Sequence, residues 1–161
     1  MNAIYAGSFD PFTNGHLHVL KQACLVFDKV YVAIAVNSEK KRRISKENMK
    51  AAINKVIENN ELKNAEVVIF DGLTVDLAKE KDAKFLVRGL RNGTDYEYEE
   101  NLAVVNSKIS GVETIYFRAG KTAHISSSVV MELYRYGKDI AKWVPVEVLE
   151  TLEENCGVRN I

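Results

Sequence analysis

Three short stretches of the sequence carry residue types suited to binding phosphate. The first is Gly7-Ser8-Phe9-Asp10-Pro11-Phe12-Thr13-Asn14-Gly15-His16. Its glycines let the backbone come close to a ligand, Ser8 offers a hydroxyl and an amide, and His16 falls where helical spacing begins. At a helix start the free N–H groups and the dipole already favour an anion, and an imidazole there can donate to a phosphoryl oxygen. The bland alternative is a Gly/Asn turn with a surface histidine. The second stretch, Arg88-Gly89-Leu90-Arg91, puts two guanidiniums around one glycine. Each can take a phosphate bidentately while Gly89 lets main-chain amides approach; the competing reading is an exposed ion-pair cluster with Glu97 and Glu99. The third, Ile125-Ser126-Ser127-Ser128, offers hydroxyls at a helix start, which makes either an anion nest or a plain serine cap.

The elements around these stretches decide whether they meet. Residues 3–6 form a short apolar run, and helical spacing extends from the Asn14-Gly15 turn through Phe27. Residues 30–36 are a continuous Val/Ile/Ala/Tyr run, suited to a strand covered on both faces. Ser45 is placed to cap a helix with Ala52, Ile53, Val56 and Ile57 on one side. A third strand is predicted at 67–70, a short helix at 75–81, and a fourth strand through Phe85, Leu86 and Val87 that stops at Arg88-Gly89. Thr94 or Asp95 is expected to cap a helix ending at Gly111, and residues 114–117 to form a fifth strand. Ser126 then caps a helix ending at Gly137, and Pro145 opens the last one. This alternation predicts an α/β fold: a Rossmann-like, doubly wound parallel five-stranded sheet with helices on both faces. No linker or repeat interrupts residues 1–161, which read as a single domain. Ligands bind such sheets beyond the carboxyl ends of the strands, and all three stretches follow predicted strands.

Composition narrows the partners. Of 161 residues, 22 are Lys or Arg and 22 are Asp or Glu, so no overall field draws the chain to nucleic acid or to an anionic membrane. Any anion must be caught by a local site. The longest apolar run, residues 30–36, is far short of the roughly 20 residues a spanning helix needs, and no signal-peptide pattern opens the sequence. A cytoplasmic protein is expected. Cys24 and Cys156 lack metal-ligand spacing; Cys24 shares the apolar phase of Leu17, Leu20 and Phe27 and is expected to be a small buried hydrophobe. The run Lys40-Lys41-Arg42-Arg43 reads as a solvated loop, and His18 as an ordinary surface side chain.

Gly7-Ser8-Phe9-Asp10-Pro11 followed by Thr13-Asn14-Gly15-His16 resembles the N-terminal signature of the nucleotidylyltransferase superfamily, a G-(S/T)-F-D-P start and an (H/T)-x-G-H end. Thr13 at the first-histidine position is similar to the pantetheine-phosphate adenylyltransferase branch, as are Arg88-Gly89-Leu90-Arg91 with Asp95-Tyr96-Glu97-Tyr98-Glu99, Leu102-Ala103 and Asn106, and the Ile125-Ser126-Ser127-Ser128 block. The resemblance implies transfer of an adenylyl group from ATP to 4′-phosphopantetheine, with Mg2+ on the ATP phosphates, a homohexamer, and feedback inhibition by coenzyme A. By resemblance, His16 and Lys40 stabilise the pentacoordinate α-phosphate, Arg88 holds the acceptor phosphate and Ser8 touches both substrates. Arg91, Ser127 and Ser128 hold the outer phosphates. Glu99 and the backbone from Gly89 face the nucleoside, and Phe9, Leu90, Thr122, Ala123, His124, Ile125 and Ser126 complete the ATP set. Thr74 lies beside the pantetheine arm. Four adjacent cations repel one another, so the loop from Lys40 is expected to close over bound phosphates, with Arg42 and Arg43 dispensable. The sequence departs from the family at Met49, where an Arg is common, and at Thr122 and Ala123, where an aromatic residue is common. Alternatives are another superfamily enzyme, taking nicotinamide mononucleotide or glycerol phosphate, or a non-catalytic nucleotide sensor. A sensor would not need His16 and Lys40 aimed at a pentacoordinate phosphorus.

Overall fold

In the computed structural model, which describes residues 1–36 and 41–156, the first strand sets the two faces of the fold. Along β1 (Asn2–Gly7), Ala3 and Tyr5 enter one apolar layer, while Ile4 and Ala6 enter another on the opposite side. Period-two alternation of a strand produces this division. β1 lies between β2 (Lys29–Val36) and β4 (Ala83–Leu90); β3 (Ala65–Asp71) and β5 (Glu113–Arg118) are the edges. All pairs are parallel and the order is β3-β2-β1-β4-β5, so the chain winds outward from β1, then crosses back to build the other half. The expected five-stranded parallel sheet is the one observed. Its switch point, between β1 and β4, is where a crevice opens at the carboxyl ends of the strands.

The larger apolar layer packs α1 (Asn14–Val26), α2 (Lys46–Asn59), α5 (Ser127–Arg135) and α6 (Val146–Cys156) against the sheet through Leu20, Ala23, Ile53, Val56, Val130 and Leu152. The smaller layer carries α3 (Thr74–Glu80) through Leu77 and Ala78, and α4 (Gly93–Ser110) lies along β4 and β5. Met49, the first departure from the resembled family, is fully buried in the larger layer and serves packing. Cys24 is half-buried rather than enclosed; burial pushes its thiol up to about 11, which keeps it protonated beside the core.

Ser45 and Ser126 cap α2 and α5 as their positions suggested, each accepting from an amide three residues on. Two boundaries differ from expectation. β4 does not stop at Arg88-Gly89 but runs to Leu90, because β5 supplies ladder partners that far: Arg88 faces Tyr116, Gly89 faces Phe117 and Leu90 faces Arg118. The cap of α4 is Asn92, whose side chain accepts from the Asp95 amide at 3.0 Å, rather than Thr94 or Asp95. That leaves the Asp95 carboxylate for another partner. The segment after β5 contains one 3-10 turn, Gly120–Thr122, where a loop was expected. Among the described residues, no helix is long and apolar enough to cross a membrane.

Gly89 fixes how closely α1 approaches the sheet. A Cβ there would stand 2.8 Å from Cγ2 of Val19, a stiff β-branched side chain one turn beyond His16. Gly89→Ala is expected to cost about 1–3 kcal/mol of stability through overpacking. In denaturant melts, Val19→Ala should cost less in the Gly89→Ala background than in the unaltered chain. Equal costs in both backgrounds would contradict the contact.

Candidate active site

The loop leaving β1 delivers His16 by a local device. Thr13, almost fully buried, caps α1: its Oγ1 accepts from the His16 amide at 3.3 Å, and its own amide donates to His16 Nδ1 at 3.0 Å. This is a capping box with histidine in the place usually taken by Glu or Gln. An amide can only donate, so Nδ1 is the acceptor and the neutral ring carries its proton on Nε2. Desolvation by burial, then the charges of Arg88 and Arg91, lower the His16 pKa to about 4. The imidazole is therefore a neutral donor at physiological pH. Its ring is braced edge-on by Phe9, centroids 5.0 Å apart, and Phe9 sits at φ +44°, a backbone state that bulky side chains avoid. Gly7 makes room for this turn, since a Cβ on it would lie 3.0 Å from the Phe9 ring.

Arg88 extends from β4 toward α4. Its Nε and Nη2 donate to the two oxygens of Glu99 at 2.6 and 2.5 Å, and Nη1 donates to the Ala6 carbonyl at 2.9 Å. Burial disfavours the guanidinium cation, but the hydrogen bonds and charge of Glu99 outweigh it and hold the proton more tightly than usual. Arg91 makes a second fork with Asp95, Nε to Oδ2 at 2.8 Å and Nη2 to Oδ1 at 3.1 Å. That hydrogen bond holds the Asp95 carboxyl below its ordinary range. At the third stretch, Ser126 Oγ is occupied as the cap of α5 and Ser127 Oγ donates to the Pro11 carbonyl at 2.8 Å. With both hydroxyls engaged, the groups left at the start of α5 to meet an anion are its first main-chain amides.

These groups surround one cavity of about 300 Å³. Ser8, Phe9, His16, Arg88, Gly89 and Arg91 line it, together with Glu99, Thr122, Ile125, Ser126 and Ser127. A second cavity of about 100 Å³ adjoins it, lined by Thr74, Leu86, Leu102 and Asn106. Arg88, Glu99 and Ala6 border both, so the ion pair stands in the shared wall. Leu90, Ala123, Ser128 and His124 lie outside the lining; His124 is exposed and meets Trp143 edge-on. Lys40 lies outside the described residues, and so does the expected closing segment around it. Arg42, expected in solvent, is half-buried and bonds to the Ser8 and Phe9 carbonyls, while Arg43 stays exposed, as expected, with one bond to the Asp10 carbonyl. Sequence reasoning also missed Tyr5 and Asp95 in the lining. Asp95 had a readable signal, four residues beyond Arg91 at a helix start.

The depressed His16 pKa makes a signed prediction. Between about 6.5 and 4 the unfolded chain takes up a proton that the folded chain refuses, so the His16 contribution to stability is complete above pH 6.5 and is lost as pH drops toward 4. Nitrogen NMR of His16 should show a neutral ring with the proton on Nε2 from pH 8 down to 5.5. A midpoint near 6.5 would contradict the assignment.

The family model described as cytidylyltransferase-like matches residues 4–133. The phosphopantetheine adenylyltransferase of Leuconostoc citreum is 46% identical over 154 residues, covering 94% of this chain and 96% of its own. That of Nautilia profundicola is 41% identical, covering 93% and 97%. The solved nicotinic acid mononucleotide adenylyltransferase of Plasmodium falciparum shares the fold with a TM-score of 0.72 at 16% identity, over 98% of this chain and 96% of that one. With the three stretches gathered at one cavity, the chain belongs to the cytidylyltransferase-like family and, within it, to the phosphopantetheine adenylyltransferases.

Proposed function

We propose that the chain transfers the adenylyl group of ATP to the phosphate of 4′-phosphopantetheine, giving dephospho-coenzyme A and pyrophosphate, the penultimate step of coenzyme A synthesis. The observation that carries this reading is the pair of adjoining cavities with Arg88 in their shared wall. Such an arrangement suits two substrates whose phosphates must meet: a nucleotide in the larger space, and the arm of an acceptor beside Thr74 in the smaller. An oxygen of the acceptor phosphate attacks the α-phosphorus, and the bond from the α-phosphorus to the pyrophosphate oxygen breaks. No protein nucleophile is needed, so catalysis rests on in-line positioning and on donors aimed at developing charge.

The roles follow from the chemistry of each group. His16, donating from Nε2, and Lys40 stabilise the equatorial oxygens of the pentacoordinate phosphorus. Arg88 holds the acceptor phosphate, Ser8 touches both substrates, and Arg91 with the start of α5 holds the outer phosphates. Magnesium would come bound to ATP and offset part of its triphosphate charge, while Glu99 and Asp95 are engaged by arginines. Coenzyme A contains both halves of the product and would compete for the same cavities, which supports feedback inhibition. A cytoplasmic setting, where ATP is available, agrees with the two unpaired cysteines. Association of copies is supported by α4, which has no buried residue and exposes Tyr98, Leu102, Val105 and Ile109 along one side; the number six comes from the family resemblance. A monomer by light scattering would remove that part of the proposal.

Pyrophosphate release measured with ATP and 4′-phosphopantetheine, with ATP and nicotinamide mononucleotide, or with CTP and glycerol phosphate tests the acceptor; only the first pair should support turnover. His16→Ala is expected to lose about 100-fold or more in kcat with far less change in ATP affinity, since its bond strengthens in the transition state. Arg88→Ala should mainly weaken phosphopantetheine binding, and Arg91→Ala mainly ATP binding. One shared defect in calorimetric titrations would refute that division.

A further inference from the structure

A seam of hydrogen bonds joins the loop after β1 to the segment that leads into α2, and Arg42 is its centre. The guanidinium spans three main-chain carbonyls: Nη1 donates to Ser8 O at 2.8 Å, Nε to Ile44 O at 3.0 Å and Nη2 to Phe9 O at 3.5 Å. Asp10 answers from the other side. Its carboxylate accepts from the Arg43 amide at 2.8 Å and the Ile44 amide at 3.0 Å, and the Ile44 side chain, 1% exposed, roots that segment in the core. Arg43 adds a single bond from Nη1 to the Asp10 carbonyl at 2.9 Å. A guanidinium suits this place because its rigid fork meets several carbonyls at once, which a single ammonium cannot do.

The carbonyls held by Arg42 belong to the turn in which Phe9 takes its left-handed conformation. Such a state persists in a bulky residue only where the surroundings over-determine it. Here they do so from two directions. Outside, Arg42 gathers the Ser8 and Phe9 carbonyls; inside, the Phe9 ring is buried edge-on against Tyr5 and His16, at 5.4 and 5.0 Å between centroids. We infer that Arg42, clamped with Asp10, is a positioning residue: by holding the Ser8 and Phe9 carbonyls it fixes the phosphate-binding turn and, through the Phe9 ring, the imidazole of His16. This rests on the adenylyl-transfer reading of the site. It assigns Arg42 a task in geometry rather than in solvation or in direct charge.

The test separates geometry from charge. Arg42→Ala removes the fork and the charge, Arg42→Lys removes only the fork, and Lys41→Ala removes an exposed charge one residue away. With ATP and 4′-phosphopantetheine, both Arg42 variants are expected to lose about 10-fold or more in kcat while KM for ATP stays within about 3-fold, because misplacement of a transition-state donor acts on turnover. Lys41→Ala should match the unaltered enzyme. Asp10→Asn should behave like Arg42→Ala, and the double variant should lose no more than the worse single one, as members of one clamp do. Without substrates, the ring-nitrogen resonances of His16 should shift in Arg42→Lys. Normal kcat in Arg42→Lys, or a rise in KM alone, overturns the inference; if Arg42→Ala does not fold, Arg42→Lys decides by itself. If the unaltered chain releases no pyrophosphate, the assigned reaction fails. His16 resonances in Arg42→Lys then still decide the clamp, and unchanged signals overturn it.

Discussion

One partly buried cation organises the site. Arg88 leaves β4 at the switch point of the sheet and bonds at once to the end of β1, through the Ala6 carbonyl, and to α4, through both oxygens of Glu99. Removing a group from such a pair leaves the other charge poorly compensated, so the three elements are held in one geometry. The same charge acts on its neighbours: it helps lower the His16 pKa and opposes the upward push of burial on Tyr5. A neutral imidazole beside a permanent guanidinium is a pairing of a directional donor with a fixed charge, and transfer at a phosphorus centre uses both.

The carboxylates opposite the arginines keep this arrangement stable before a substrate arrives. Arg88 uses three of its five N–H donors on Glu99 and Ala6, and Arg91 uses two on Asp95, so each fork is oriented yet retains N–H donors beyond those bonds. Preorganised donors need no rearrangement at the moment of reaction. The helix ends contribute in the same way. α1 has its start closed by Thr13 and His16 themselves, while α5 commits the Ser126 and Ser127 hydroxyls to its own cap and to Pro11, and leaves its first amides for an anion.

Much of this was legible in the sequence. The apolar runs at 3–6 and 30–36 and the serine caps at 45 and 126 mark elements whose signals are local, and they fall where the structure has them. The extension of β4 to Leu90 depends on pairing with β5, and no local pattern carries that information. The cap at Asn92 was passed over because Thr94 and Asp95 are equally good cap residues a step later. In the site, Gly7, Ser8, His16, Arg88 and Arg91 stand out by type and spacing. Arg42 does not, since a guanidinium in a basic run reads as solvated until the carbonyls of a distant turn are known to face it. The tautomer of His16 likewise depends on a hydrogen bond that only the folded Thr13 backbone provides.

The proposed reaction is a single in-line displacement at phosphorus, for which the protein is a template and no covalent intermediate forms on the chain. The stereochemical course at the α-phosphorus reads that claim directly. With ATP made chiral at the α-phosphorus by one sulfur substitution, and 4′-phosphopantetheine as acceptor, the dephospho-coenzyme A analogue should form with inversion of configuration. Retention would mean two successive displacements through an adenylylated side chain, and would contradict the account.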